Sequence, residues 1–266
     1  MKTSITTFLA ATFLSVSSSI VAEPYEDALR ATVRITNGKA SGTGFFVVTG
    51  DKSDPERQHL LITAAHVLRD MAGDTCTIIF RAQAEGGEFV RKEVALTIQK
   101  DKKPLWEQHK ELDVAVIAMN LPEGLDIKPF KDSQIAAVRF AEEGKVKVGQ
   151  NICIPCFPAN LEANPAGWPI LRRGSIASHP LIPLSGAKTF FVDSFSFGGE
   201  SGAPVVLWVK DKAYVVGLIT SMQRQTDKTK MPFEERTVHT PLGLGIAVQS
   251  PFIRQVIEQW QNKSAK

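Results

Sequence analysis

From Ala31 to Val248 this chain repeats one local pattern: short apolar runs, alternating or continuous, each closed by Gly, Pro or a charged cluster. Alternation with period two suits a strand buried on one face, and a short continuous run suits a strand buried on both. Ala31-Thr32-Val33-Arg34-Ile35 alternates, Gly42 to Val48 runs apolar, and Leu60 to Thr63 returns after a polar, Pro-containing loop from Thr49 to Gln58. Thr75 to Arg81 and Phe89 to Gln99 read as strands across the turn Glu85-Gly86-Gly87-Glu88, and Leu112 to Met119 closes the first half. Residues 120–143, with Pro122, Gly124 and Pro129, read as a connection. The second half offers Gly149 to Phe157, Gly167 to Ala177, Thr189 to Val192, Val205 to Val209, Ala213 to Thr220 and Gly243 to Val248, with Gln223 to Arg236 as a polar surface loop. Helical spacing is sustained only at the end, where Phe252, Val256, Ile257 and Trp260 share one face behind a Ser250 N-cap and Pro251. The expected fold class is all-β in two halves, with a C-terminal helix.

The start of the chain sets an expected compartment. Lys2 precedes a mostly apolar or small stretch from Ile5 to Val16, and small Ala22 stands before Glu23-Pro24. Residues 1–22 read as a secretory signal peptide cut after Ala22, leaving 23–266 as an exported protein, periplasmic or secreted. The apolar run is too short and too rich in Ser and Thr to span a bilayer comfortably, and no later segment reads as a membrane span. The net charge of +3 comes from scattered bases and acids, with no basic patch interleaved with aromatics, so no nucleic-acid partner is expected.

Three cysteines are too few for a disulfide-built scaffold. Cys153-Ile154-Pro155-Cys156 has the spacing of a redox or metal pair. Its flanks, however, read as a strand entering a Pro-bounded loop, not as a helix start, and a zinc site would want a second pair or nearby histidines. The favoured reading is buried small residues, at most with one disulfide to Cys76. No metal and no cofactor is expected.

Chemistry concentrates in three segments. Gly198-Gly199-Glu200-Ser201-Gly202-Ala203-Pro204 sets one serine among small residues, and upstream stand Thr63-Ala64-Ala65-His66 and Leu112-Asp113-Val114-Ala115-Val116. His66, Asp113 and Ser201 then follow the order of one type of catalytic triad. A serine hydroxyl is a poor nucleophile near neutral pH and needs a base within hydrogen-bond reach. His66 can be that base, and Asp113 can fix its tautomer and stabilise its charged form. Each residue alone has an ordinary explanation: a core histidine, a strand-end carboxylate, a glycine turn. Their joint occurrence in this order favours nucleophilic catalysis on peptide or ester bonds. His59, His109, His179 and His239 read as surface or structural. An esterase of the α/β-hydrolase type is disfavoured, because there the serine comes first and strand-helix units alternate.

With Gly42-Thr43-Gly44-Phe45 added to these segments, the chain resembles the trypsin-like, chymotrypsin-fold serine proteases, in particular bacterial exported ones. The resemblance runs from about Ala28 to the final helix. It implies two antiparallel β-barrels, an N-terminal one over about 28–120 and a C-terminal one over about 144–250. A connection at 121–143 would join them, with the helix at 251–263 and the triad in the cleft between the barrels. It implies a serine endopeptidase acting on polypeptides, with the backbone N–H groups of Gly199 and Ser201 as oxyanion donors. The chain ends at its helix, so the PDZ domain that related exported proteases often carry is not expected. The resemblance leaves the oligomeric state open. The competing class is a catalytically silent protease fold reused for binding.

Two positions depart from the pattern of the digestive enzymes. Glu200 stands where they carry aspartate, which pairs with a terminus freed by zymogen cleavage, and no Ile-Val-Gly-Gly start is present. Local contacts are therefore expected to hold the oxyanion turn. Ala203 replaces a second glycine, a small change. The resemblance places Phe195 and Thr220-Ser221-Met222 around the specificity pocket. No aspartate lies at the pocket base and Met222 replaces a glycine, which predicts a small or medium apolar residue before the scissile bond.

Overall fold

The computed structural model describes residues 24–50, 54, 57–231 and 234–264, so the leader expected at 1–22 lies outside the described residues. In chain order the first lobe contains β1 (Thr32–Thr36), β2 (Ser41–Thr49), β3 (Gln58–Thr63), β4 (Thr75–Gln83), β5 (Phe89–Thr97), β6 (Gln99–Lys100), β7 (Lys103–Pro104), β8 (Glu107–Gln108), β9 (Ala115–Ala118) and β10 (Phe130–Lys131). Its sheet runs β5-β4-β1-β2-β3-β9-β8, with β10 parallel to β2. The second lobe is a closed barrel of β11 (Asn151–Cys156), β12 (Ile170–Ile176), β13 (Thr189–Asp193), β14 (Pro204–Val209), β15 (Lys212–Met231) and β16 (Glu234–Gln249), in the order β11-β12-β13-β16-β15-β14. Four helices accompany them: α1 (Pro24–Ala31), α2 (Ala65–Arg69), α3 (Val138–Glu142) and α4 (Ser250–Ser264). This is the mainly β, two-lobed architecture expected, ending in a helix. None of the described helices is long and apolar enough to cross a membrane.

The apolar runs found in the sequence become the core. Phe45, Phe46, Leu60, Leu61, Ile62, Ile78, Phe80 and Val116 are buried in one cluster, joined by Ala28 and Ala31 from α1 and by Phe252, Ile253, Val256 and Ile257 from α4. A second cluster, including Ile152, Ile154, Cys156, Ile176, Val192 and Ile219, fills the closed barrel. Among the described residues of the first lobe, Arg81 is the buried charged side chain. Its guanidinium donates to the carbonyls of Thr32 (3.1 Å), Gly167 (3.4 Å) and Arg30 (3.1 Å), and stacks 4.6 Å from the Trp168 ring. Burial pulls its pKa down to about 10, still above neutrality, so the group stays charged.

Several elements differ from the sequence reading. Ala31 ends a helix instead of opening a strand. Only Ala115–Ala118 of the 112–119 run is strand, because the chain bends at Asp113 before joining β3. The 120–143 connection holds β10, a 3-10 turn over Asp132–Gln134, and α3. Ser250 does not wait outside α4 as a cap; the helix begins at it, and its buried hydroxyl donates to the Ala136 carbonyl (2.7 Å). The largest difference is Gln223 to Arg236, which is no loop. There the ladder of β15 and β16 continues from Arg224 opposite Pro241 to Met231 opposite Glu234. A two-stranded ribbon bathed by solvent on both faces has no apolar side to give it away. Its only sequence signal is the β-branched set Thr226, Thr229, Thr237, Val238 and Thr240.

Candidate active site

β3 delivers the chain to Ala64, still extended, and the single turn of α2 then carries His66. The backbone N–H of His66 donates to Asp113 Oδ1 (2.9 Å), and its ring Nδ1 lies 2.5 Å from Asp113 Oδ2. A carboxylate can only accept, so Nδ1 carries the proton and Nε2 keeps a free lone pair. The hydrogen bond to Asp113 raises the His66 pKa above its usual 6.5, against burial, which pulls the other way. Burial pushes the Asp113 carboxyl up, but the hydrogen bonds from the His66 ring and backbone outweigh it and hold the carboxyl below its usual value.

Ser201 arrives from the second lobe on the turn before β14. The Thr43 N–H donates to the Ser201 carbonyl (2.9 Å), and Thr63 Oγ1 donates to the Thr43 carbonyl (2.7 Å). Gly202 has φ +90°, and a Cβ on it would lie 2.0 Å from the Thr43 oxygen and 3.1 Å from the Ala64 nitrogen. The missing side chain therefore lets the serine turn sit against Ala64, two residues before His66. In this structure the Ser201 hydroxyl donates to the Thr220 carbonyl (3.3 Å). Among the described residues no hydrogen bond joins it to His66.

The turn ahead of the serine is held from outside. Gly199 has φ +91°, and a Cβ there would meet the Phe157 carbonyl at 2.4 Å. The Gly199 carbonyl accepts from Thr43 Oγ1 (2.7 Å), and the Gly198 carbonyl accepts from the Ala159 N–H (2.7 Å). With these carbonyls engaged, the N–H groups of Gly199 and Ser201 donate to no acceptor among the described residues. Two unpaired donors thus flank the hydroxyl. Between them Glu200 is only 2% exposed; its carboxylate accepts from Ser196 Oγ (2.7 Å) and pairs with Arg172.

The proposed pocket residues are less gathered. Thr220 is buried, with its hydroxyl donating to the Ile246 carbonyl (3.3 Å), whereas Ser221 is exposed and Met222 half-buried along β15. Phe195 is 62% exposed, standing at the surface over Gly243 and not at the base of an enclosed pocket. The sequence reading missed Thr43, which lies in the quoted Gly-Thr-Gly-Phe motif but was given no role. It also missed Arg172, for which the unusual Glu200 was the available signal: a buried carboxylate requires a cation.

Cys76, Cys153 and Cys156 are all free and buried, so the disulfide considered for Cys76 is not made. Cys153 and Cys156 lie three apart on β11, which points their side chains to opposite faces and separates them as a redox or metal pair. Burial pushes the Cys76 thiol up to about 12 and raises those of Cys153 and Cys156 as well. Iodoacetamide at mildly alkaline pH is expected to leave the folded protein unmodified and to label all three after unfolding. Rapid native alkylation counted by mass spectrometry would contradict this.

The profile of the trypsin-like peptidase domain matches residues 42–218, well over half of the chain. The chain belongs to the trypsin-like peptidase family. The matched span begins at the Gly42-Thr43-Gly44-Phe45 segment and includes His66, Asp113 and Ser201. Among solved structures, this trypsin-like peptidase is similar to the inactive form of a serine-to-alanine mutant of Rv3671c from M. tuberculosis H37Rv. That similarity has 16% identity and a TM-score of 0.45, over 94% of this chain and 96% of the other. A comparison with curated proteins returns no match.

Proposed function

We propose that this trypsin-like peptidase is an exported serine endopeptidase, with Ser201 as nucleophile, His66 as general base and then acid, and Asp113 as the group that orients His66. The observation that carries the reading is the Asp113–His66 pair, with its free Nε2, set beside a serine turn that presents two unpaired N–H donors. In the reaction His66 Nε2 takes the Ser201 proton as the oxygen attacks the peptide carbonyl carbon. The carbonyl oxygen becomes an anion, which the N–H groups of Gly199 and Ser201 receive. His66 returns the proton to the amine as the C–N bond breaks, and water then releases the acyl group by the same steps in reverse. The hydroxyl must turn from the Thr220 carbonyl towards His66, an adjustment common when substrate enters a free site. Lys2, the short apolar run and Ala22 support export, and Met222 on β15 supports a small or medium apolar residue before the cut bond.

Labelling with a fluorophosphonate probe tests the assignment. The protein from Glu23 onward is expected to label stoichiometrically and Ser201→Ala not at all. A folded protein that fails to label, or labels equally in the variant, would end this reading and favour a silent binding module.

A further inference from the structure

Glu200 is the only acidic residue fully buried among those described, and it sits between the two N–H donors that the proposed reaction needs. A buried carboxylate without a cation is costly by several kcal/mol, so its position follows that of its partner. That partner is Arg172, whose guanidinium meets one carboxylate oxygen while Ser196 Oγ donates to the other (2.7 Å). Arg172 is itself placed by β12, which is paired with β11 from Ile170 to Ser175. Its cross-strand neighbour is Ile154, so the two share a face and Arg172 reaches into the barrel end. The Phe197 ring covers the guanidinium at 5.4 Å.

The described N-terminal segment is occupied elsewhere. Tyr25 of α1 packs against Trp208, with ring centroids 4.6 Å apart and planes tilted by 48°, and lies under Arg173 at 5.5 Å. Arg173 follows Arg172 on the same strand, and alternation turns the two to opposite faces. Residues 24–31 are thus folded as a helix on the far side of β12 from Glu200.

We propose that Arg172 is a built-in positioning cation: it anchors Glu200, holds the Gly199 and Ser201 N–H groups in their working orientation, and frees the site from any need for a liberated chain terminus. The proposal rests on the peptidase reading above. Fixing Glu200 fixes the peptide unit after it, which bears the Ser201 N–H, and the one before it, whose Gly199 carbonyl is also held by Thr43 Oγ1 and so orients Gly199 with its N–H. Those donors matter to the anionic intermediate far more than to bound substrate, so loss of Arg172 falls on kcat.

The test compares wild type, Arg172→Met and Arg172→Lys on one short peptide cleaved by wild type, alongside hydrogen exchange of segment 196–203. Arg172→Met is expected to lower kcat about a hundredfold or more while KM moves less than about threefold, and Arg172→Lys to recover most of the loss. Exchange in 196–203 rises in the Met variant while that of β2 and β3 stays as in wild type. Extra residues placed before Glu23 leave kcat within about twofold, because Arg172 already pairs with Glu200. Wild-type kcat and unchanged exchange in Arg172→Met would overturn the proposal, as would a wild type inert until clipped near its start. If intact wild type neither labels nor cleaves, and clipping does not change that, the peptidase reading itself has failed. The exchange comparison still decides whether Arg172 orders the turn.

Discussion

Asp113→Asn is expected to lower kcat about ten-thousandfold with the fold intact, by the tautomer effect known for triads of this order. The amide keeps the size of the carboxylate and can still accept from the His66 backbone N–H, which donates to Asp113 Oδ1 at 2.9 Å. What changes is the 2.5 Å contact at Nδ1. An amide N–H facing Nδ1 makes that nitrogen the acceptor, and the ring proton moves to Nε2, where the base is needed. Charge changes in the same direction. The hydrogen bond to Asp113 raises the His66 pKa, so wild-type activity rises with pH through a value above 6.5, as His66 loses its proton. In the Asn variant that limb moves to lower pH.

The pair also links pH to stability. A raised histidine pKa contributes stability fully present below the unfolded value and lost as pH rises through the folded one. A lowered carboxylate pKa contributes stability present above the unfolded value and lost as pH falls through the folded one. The ionised pair therefore stabilises the fold between the lowered Asp113 value and the raised His66 value, and the Asn variant loses that window. Both side chains are about a third exposed, so solvent keeps this contribution small. Kinetics and thermal melts across pH check both effects; a variant retaining more than about a hundredth of wild-type kcat would sink the role given to Asp113.

Gly202→Ala is expected to disable the protein through its backbone. The added methyl would sit 2.0 Å from the Thr43 carbonyl oxygen and 2.3 Å from Thr63 Oγ1, at a φ of +90° that side chains avoid. Neither neighbour can yield cheaply: Thr43 is in β2, its N–H holds the Ser201 carbonyl, and Thr63 ends β3. Backbone strain and overpacking together cost about 4 kcal/mol, which lowers Tm by roughly 10 °C in a protein of this size. The relief available is to push the serine turn away from Ala64, so the fraction that remains folded should also lose labelling at Ser201. A melt within about two degrees of wild type with full labelling would show that the contact is looser than the structure has it.

The sequence made the β lobes legible because their strands bury apolar side chains, and burial is what period-two patterns record. It made His66, Asp113 and Ser201 legible because their local segments are short and chemically unusual. It hid the ribbon of β15 and β16, whose ladder is purely backbone. It also hid the Arg172–Glu200 pair, since nothing local to residue 172 shows that β12 will face the serine turn across the barrel. Phe195 shows the converse limit. Counting back from the serine put it around the specificity pocket, and the path of the turn leaves it 62% exposed. Sequence distance fixed its neighbours along the chain and not its direction.

The cross-packing of the two terminal helices has a consequence for the timing of folding. Phe252, Ile253, Val256 and Ile257, from the last helix, lie in the same buried cluster as β1, β2 and β3, and Trp260 Nε1 donates to Gln58 at 3.0 Å. The first lobe is therefore completed by residues from far along the chain, 202 positions apart in the case of Gln58 and Trp260. Such late, long-range closure slows folding, since the intervening chain must be ordered before these contacts form. Until α4 has docked, the early strands lack this apolar cover, so the first lobe cannot settle into its final shape ahead of the second.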